Sequence, residues 1–130
     1  MLKKSPSGAM SPYYWEGGII HGMHYGSYFD DMEAFRDMMS QEENFVMRSP
    51  EKRRILIDLY ETNITESMML EFVAHIERMA SRIVKLAIAG DRKCLKDVKK
   101  LLLKSGAINE GQLYFGADMD TGKTWLVSER

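Results

Sequence analysis

Arg53-Arg54-Ile55-Leu56-Ile57-Asp58-Leu59-Tyr60, followed through to Gly90-Asp91, decides the fold of this chain. The apolar run Ile55–Tyr60 predicts a strand, and Glu61-Thr62-Asn63 a turn. A long helical pattern follows, with Met69, Phe72, Val73, Ile76, Ala80 and Ile83 at the i, i+3, i+4, i+7 spacing of one buried face. Glu66, Glu71, His75, Arg78 and Arg82 fall mainly on the opposite side. The second apolar run, Val84–Ala89, ends at Gly90-Asp91. Two short apolar runs joined by such a helix make a βαβ unit, so the strands should be parallel and the crossover right-handed.

Downstream, a helix is predicted from about Arg92 to Lys104. Leu95, Val98, Leu101 and Leu102 form its stripe, and Gly106 stands where a C-terminal cap belongs. Leu113-Tyr114-Phe115 reads as a short strand. Asp118 opens a final helix that carries Trp125, Leu126 and Val127. Upstream, residues 1–12 read as a flexible tail, and 13–130 as one α/β domain. Tyr13-Tyr14-Trp15 is an aromatic cluster ahead of the first strand. Such a cluster covers a sheet edge or closes the core; exposed, it anchors a partner. Gly18–Tyr25 alternates as a strand does, with Ile19, His21, Met23 and Tyr25 on one face and Ile20, Gly22 and His24 on the other. Asp30 or Asp31 caps a short helix to about Met39, and Ser40–Lys52 is a connector. The sum is about four successive βα units and a mostly parallel sheet.

Composition limits the function. The net charge of −1 gives no bulk attraction for nucleic acid or an anionic membrane. Cys94 is the one cysteine, so no internal disulfide forms. No secretory leader or membrane-spanning run is evident, and a cytoplasmic setting is expected. The 11 methionines read first as flexible core filler, and otherwise as an adaptable binding surface.

Several motifs carry candidate chemistry. Ala117–Thr124 fits a relaxed phosphate-loop pattern. Two aspartates inside the cradle would repel phosphate, however, and only Trp125–Arg130 follow the motif, so the favoured reading is that Asp118 caps a helix. His21 and His24, three apart in a strand, point to opposite faces and cannot share an ion. No metal and no cofactor is expected. Cys94 near a helix start, beside Arg92 and Lys93, has a setting that can lower a thiol pKa, but no partner base is recognisable. The basic face Arg92, Lys93, Lys96, Lys99, Lys100 and Lys104 reads as a solvated surface, and nucleic acid is not an expected partner. Asn63, Thr65, Glu66 and Ser67 lie at the turn into the central helix. They can cap it or form a site at the C-terminal sheet edge. Parallel topology should bring Asn63, Thr65, Ser67, Asp91, Arg92 and Asp118 to one recognition surface.

The pattern resembles the STAS/SpoIIAA-like superfamily, and more closely the small bacterial STAS-like proteins grouped with CRAL-TRIO-related domains. The resemblance covers about Arg53 to Leu126. It rests on the strand Ile55–Leu59 leading into a polar turn, on Val84–Asp91, and on the closing Trp125-Leu126. It implies a fold of successive βα turns and a non-catalytic regulatory or protein-interaction module. In anti-sigma-factor antagonists of this superfamily the turn reads Asp-Ser-Ser-Gly-Leu and its second Ser accepts phosphate. Here Glu66-Ser67-Met68-Met69-Leu70 puts Ser67 at the first Ser and Met68 at the acceptor, leaving Ser67 as the candidate phospho-acceptor. The expected partner is a protein. The alternatives are a binder of a small apolar or anionic ligand and, third, a nucleotide-binding enzyme using Ala117–Thr124. Edge strands and exposed aromatics also lead to the expectation of a homodimer.

Overall fold

The computed structural model describes residues 3–7, 10–11 and 13–128. Among the described residues are seven strands and four α-helices: β1 Lys3–Lys4, β2 Met10–Ser11, β3 Tyr13–Trp15, β4 Gly18–His24, α1 Met32–Met47, β5 Arg53–Asp58, α2 Glu66–Met79, β6 Ile83–Ala89, α3 Arg92–Ser105, β7 Leu113–Gly116 and α4 Met119–Leu126. The main sheet has five strands in the order β3-β4-β5-β6-β7. Strands β4 to β7 are mutually parallel, and β3 is antiparallel to β4. The expected α/β class, the four βα pairs and the largely parallel sheet are therefore present.

Register sorts the side chains into two layers. Met23, Ile57, Ile88 and Phe115 stand in one row across the sheet; Gly22, Leu56, Ala87 and Tyr114 stand in the next, on the other face. The first face meets α1, α2 and α3 through Phe35, Val46, Phe72, Ile76, Val98 and Leu102, all fully buried. The second meets α4 through Ile20, Leu56, Ala87, Leu126 and Val127. Its residues are smaller, so α4 lies close: a Cβ on Gly122 would stand 3.5 Å from the Ala87 Cβ. Arg54 Nη1 and Lys85 Nζ donate to the Leu126 and Trp125 carbonyls at 2.5 and 2.9 Å, where the last turn of a helix needs donors.

Four expectations are corrected. Tyr13-Tyr14-Trp15 is itself the edge strand β3, with Tyr14 exposed and Trp15 packed on the α4 layer. Helix α1 does not stop near Met39. It runs to Met47, because its buried stripe Phe35, Met39, Glu42, Val46 continues through a glutamate that breaks the apolar pattern. His75 is not on a solvated face but fully buried. Ile83 belongs to β6, after a short 3-10 turn at Ala80–Arg82. The expected tail, 1–12, falls partly outside the described residues. Within it β1 pairs with β2, and Ser5 is buried.

The two faces of β6 predict two different penalties. Ile88→Ala should leave a cavity and cost about 2–5 kcal/mol. Ala87→Leu should force α4 off the sheet and cost about 1–3 kcal/mol by overpacking. Urea titration of each variant, followed by circular dichroism, measures both.

Candidate functional site

The carboxyl ends of β4 to β7 and the turns that follow them form the edge on which open α/β sheets place ligands. Each helix start there is capped by a side chain: Thr65 and Asp118 were the expected caps, and Asp91 joins them. Thr65 Oγ1 accepts from Met68 N–H at 3.2 Å, Asp91 Oδ1 from Cys94 N–H at 3.0 Å, and Asp118 Oδ1 from Asp120 N–H at 3.0 Å. Asp118 also accepts from the Thr121 hydroxyl at 2.5 Å; these hydrogen bonds hold its carboxyl below the ordinary range. Asn63 Nδ2 donates to Asp30 Oδ1 at 2.9 Å, tying the turn to the β4–α1 loop. Ser67 is exposed, its hydroxyl 3.4 Å from that of Thr65.

The six residues do not share one depression. Thr65 and Ser67 border a groove of about 740 Å³ between α2 and α3, with Ile64, Met69 and Leu101 among its apolar lining and Lys93 and Lys100 on the α3 side. Arg92 lies in a separate cleft of about 440 Å³ between α3 and β7, with Lys96, Lys99 and Phe115. Between them Asp91 and Asp118, with Asp58, act on Tyr60. Burial, then these three carboxylates, pushes its phenol pKa up. Its hydroxyl donates to the Ala117 carbonyl.

Three features of this edge were missed by the sequence reading. The first is His24–Asp58: Nδ1 stands 2.8 Å from Oδ2, with Asp58 at 14% and His24 at 52% side-chain exposure. A partly buried carboxylate that orients a half-exposed imidazole has the geometry of a general base. Neither cleft includes it. Each residue ends its strand and the two are register partners, a pairing that shows only once the strand register is known. The second is a strained loop pair. Ser27, Phe29 and Glu61 all have positive φ, at 68°, 52° and 60°. Phe29 N–H donates to Glu61 O at 2.8 Å, and Asn63 N–H donates to Phe29 O at 2.7 Å. These bonds hold a bulky residue where L side chains are rare. The third is Gly26, whose added Cβ would meet Asp58 Oδ1 at 2.4 Å and Tyr60 O at 2.5 Å.

Other candidates resolve into structure. Ala117–Thr124 is helical from Met119, and Gly122 is buried against the sheet, so its backbone is not a phosphate cradle. Lys123 stands 4.7 Å over the Trp15 ring. The Cys94 thiol is not activated. Burial, then Asp91 and Asp97, pushes its pKa up to about 11, against the expectation from Arg92 and Lys93. His21 is buried and His24 exposed, on opposite faces. Among the described residues, no three His, Cys, Asp or Glu side chains gather to hold a metal, and no helix is long and apolar enough to cross a membrane.

Behind the edge lies a buried polar chain. The Tyr25 hydroxyl is 2.7 Å from His75 Nε2, His75 Nδ1 is 2.9 Å from Glu43 Oε1, and Arg78 Nε donates to Glu43 Oε2 at 2.8 Å. Burial lowers the His75 pKa, against the pull of Glu43. The neutral ring then donates from Nδ1 to the carboxylate and accepts from the tyrosine at Nε2. Burial raises Glu43, but hydrogen bonds from Arg78 and His75 outweigh it and hold the carboxyl low. Burial, then Glu42 and Glu43, drives the Tyr25 pKa well up.

Comparison with known proteins finds no matching family model, curated protein or solved structure.

The chain of shifts fixes the sign of the pH response. The unfolded state binds the His75 proton more readily, so stability is full above about pH 6.5 and falls as pH drops below it. Glu43 adds a further loss as pH falls below about 4.5. Tyr25 reverses the slope only above about pH 10. Melting curves from pH 4 to 11 should trace this profile. Tyr25→Phe, which strips a buried acceptor of its donor, should cost about 1–3 kcal/mol at neutral pH.

Proposed function

We propose that this chain is a non-catalytic, STAS-like interaction module that recognises a protein partner at the C-terminal sheet edge. The observation that carries the reading is the exposure there of two large apolar side chains. Leu70, at 62%, rims the α2–α3 groove, and Phe29, at 55%, is held outward by strained backbone. A soluble fold gains nothing in stability from strain that exposes an aromatic ring; binding accounts for it. The serial order β4-β5-β6-β7, one helix between each pair, agrees with a fold of successive βα turns. Ser67 is the candidate phospho-acceptor: it is exposed in the first turn of α2, where an added phosphate meets the helix N-terminus and the lysines of the α3 wall. A cytoplasmic, bacterial setting and a homodimer belong to the same proposal.

A small anionic ligand is the second reading, and the α3–β7 cleft favours it. Arg92, Lys96 and Lys99 stand there beside Phe115, over whose ring Lys99 Nζ lies at 6.0 Å. The nucleotide-enzyme reading has only the Ala117–Thr124 match in its favour.

Immobilised wild-type chain should retain partner proteins from a lysate that Leu70→Glu loses, while both keep the same circular dichroism. Retention of the same proteins by Leu70→Glu and Phe29→Ser would place the surface elsewhere. Millimolar ATP or GTP should leave the melting temperature unchanged; a shift abolished by Lys123→Ala would restore the enzyme reading. Thr65→Ala should cost about 0.5–2 kcal/mol through the lost cap, and Ser67→Ala less than about 0.5 kcal/mol. Ser67→Glu should weaken partner capture without changing the fold.

A further inference from the structure

Strand β7 is one edge of the main sheet. It pairs with β6 along Leu113–Gly116. Among the described residues, no strand lies outboard of it, and no backbone group hydrogen-bonds to that side. Residues of a parallel strand aim their backbone groups alternately to its two sides, so half of those on β7 point away from β6. All four residues of the strand are half-buried. Beside this edge runs the cleft of about 440 Å³ between α3 and β7. Its helix side is Arg92, Leu95, Lys96 and Lys99, the i, i+3, i+4, i+7 spacing of one face. Its strand side is Phe115, Gly116 and Ala117.

The charge of the cleft has one sign. Arg92, Lys96 and Lys99 are exposed, and no carboxylate lines it with them. The neighbouring carboxylates are engaged elsewhere: Asp91 and Asp118 cap helices, and Asp97 borders the α2–α3 groove. Lys99 Nζ, 6.0 Å over the Phe115 ring, brings the end of the cationic row to β7 itself. Lengths agree as well. Leu113 to Gly116 covers about 10 Å of strand, and Arg92 to Lys99 about 10 Å of helix. Side chains on one face of an added strand would recur every ~6.6 Å. Arg92 and Lys96 are about 6 Å apart along α3, and Lys96 and Lys99 about 4.5 Å, differences that long side chains absorb.

We infer that the outer edge of β7 takes an extended segment of a protein partner with acidic residues at alternate positions, whose backbone adds a strand to the sheet and whose carboxylates meet Arg92, Lys96 and Lys99. Main-chain hydrogen bonds to the open edge supply the attachment, and the row of cations supplies the selection. The inference rests on the reading of this chain as a protein-interaction module, but its surface is separate from the α2–α3 groove.

The test uses the full-length chain and, as probe, the synthetic peptide Thr-Asp-Thr-Asp-Thr-Asp with both ends blocked. At millimolar concentration it should slow hydrogen exchange at one or more of the Tyr114, Phe115 and Gly116 amides by at least ~5-fold, while the Leu56 amide is unchanged. Lys96→Gln/Lys99→Gln, which alters only exposed side chains, should weaken binding by about 5-fold. The peptide Thr-Thr-Thr-Asp-Asp-Asp, of equal charge and wrong spacing, should bind more weakly than the probe. Leu70→Glu should bind the probe as the wild type does. Unchanged exchange at all three β7 amides overturns the proposal, as does equal binding of the two peptides. Succinate binding as tightly as the probe would make the cleft a small-anion site instead. Protection of β7 that grows with chain concentration in the absence of peptide would make a second copy the occupant. Loss of the probe in Leu70→Glu would move it to the α2–α3 groove. Each of these three results also overturns the proposal.

Discussion

Strand β6, flanked by β5 and β7, is buried on both faces, and the rest of the fold is arranged to keep it so. Its neighbours β5 and β7 satisfy its backbone on either side, and its two faces differ in volume. Leu86 and Ile88 need a thick layer, which three helices supply; Ala87 and Ala89 need a thin one, which the eight-residue α4 supplies. Desolvated backbone groups cost free energy unless every one is paired, so the strand cannot shift register without exposing one layer and overfilling the other. The candidate edge is a by-product: once the strands are locked in register, their turns arrive together.

Polar groups enter this interior through adjacent residues of one helix. Glu42 and Glu43 are about 100° apart around α1, and each reaches a different element. Glu42 turns to His21 on β4, Glu43 to His75 on α2. Each carboxylate is held low in pKa by its donors against the opposing effect of burial. A pair of this kind is weak evidence for net stability but strong evidence for a unique arrangement, since a shifted α1 would strand two charges at once. Tyr25 binds the helix layer through its side chain, while its backbone carbonyl accepts the Thr62 hydroxyl at 2.7 Å.

Much of this was legible in the sequence wherever side-chain periodicity and local chemistry agree. The βαβ centre follows from its apolar spacing, and the caps Thr65, Asp91 and Asp118 and the left-handed Gly106, φ 73°, follow from residue type. Reading failed where a polar residue occupies a buried position. Glu42 interrupts the α1 stripe and hid half that helix; His75 was placed outside because histidine is polar, although its partner Tyr25 lies 50 residues away. The candidate edge was half legible. Caps and turn positions are local facts, whereas the His24–Asp58 contact needs the strand register and the Phe29 strain needs a dihedral angle, neither of which a residue type encodes. The division of the expected surface into two clefts likewise depends on how α2 and α3 splay.

The helical layer over the large face of the sheet is rich in thioethers. Met39, Met68, Met69 and Met79 are each at most 7% exposed, beside Met23 from β4 and the partly covered Met32, Met38 and Met47. Conversion of a buried thioether to its sulfoxide puts a strongly polar S=O into this apolar layer. Peroxide cannot reach the buried thioethers of Met23, Met39, Met68, Met69 and Met79 while the layer is closed, so oxidation of these five requires a local opening. The buried methionines of this core thus form a chemical record of its breathing, inert in the packed state and irreversible, without a reductase, once an opening has been caught.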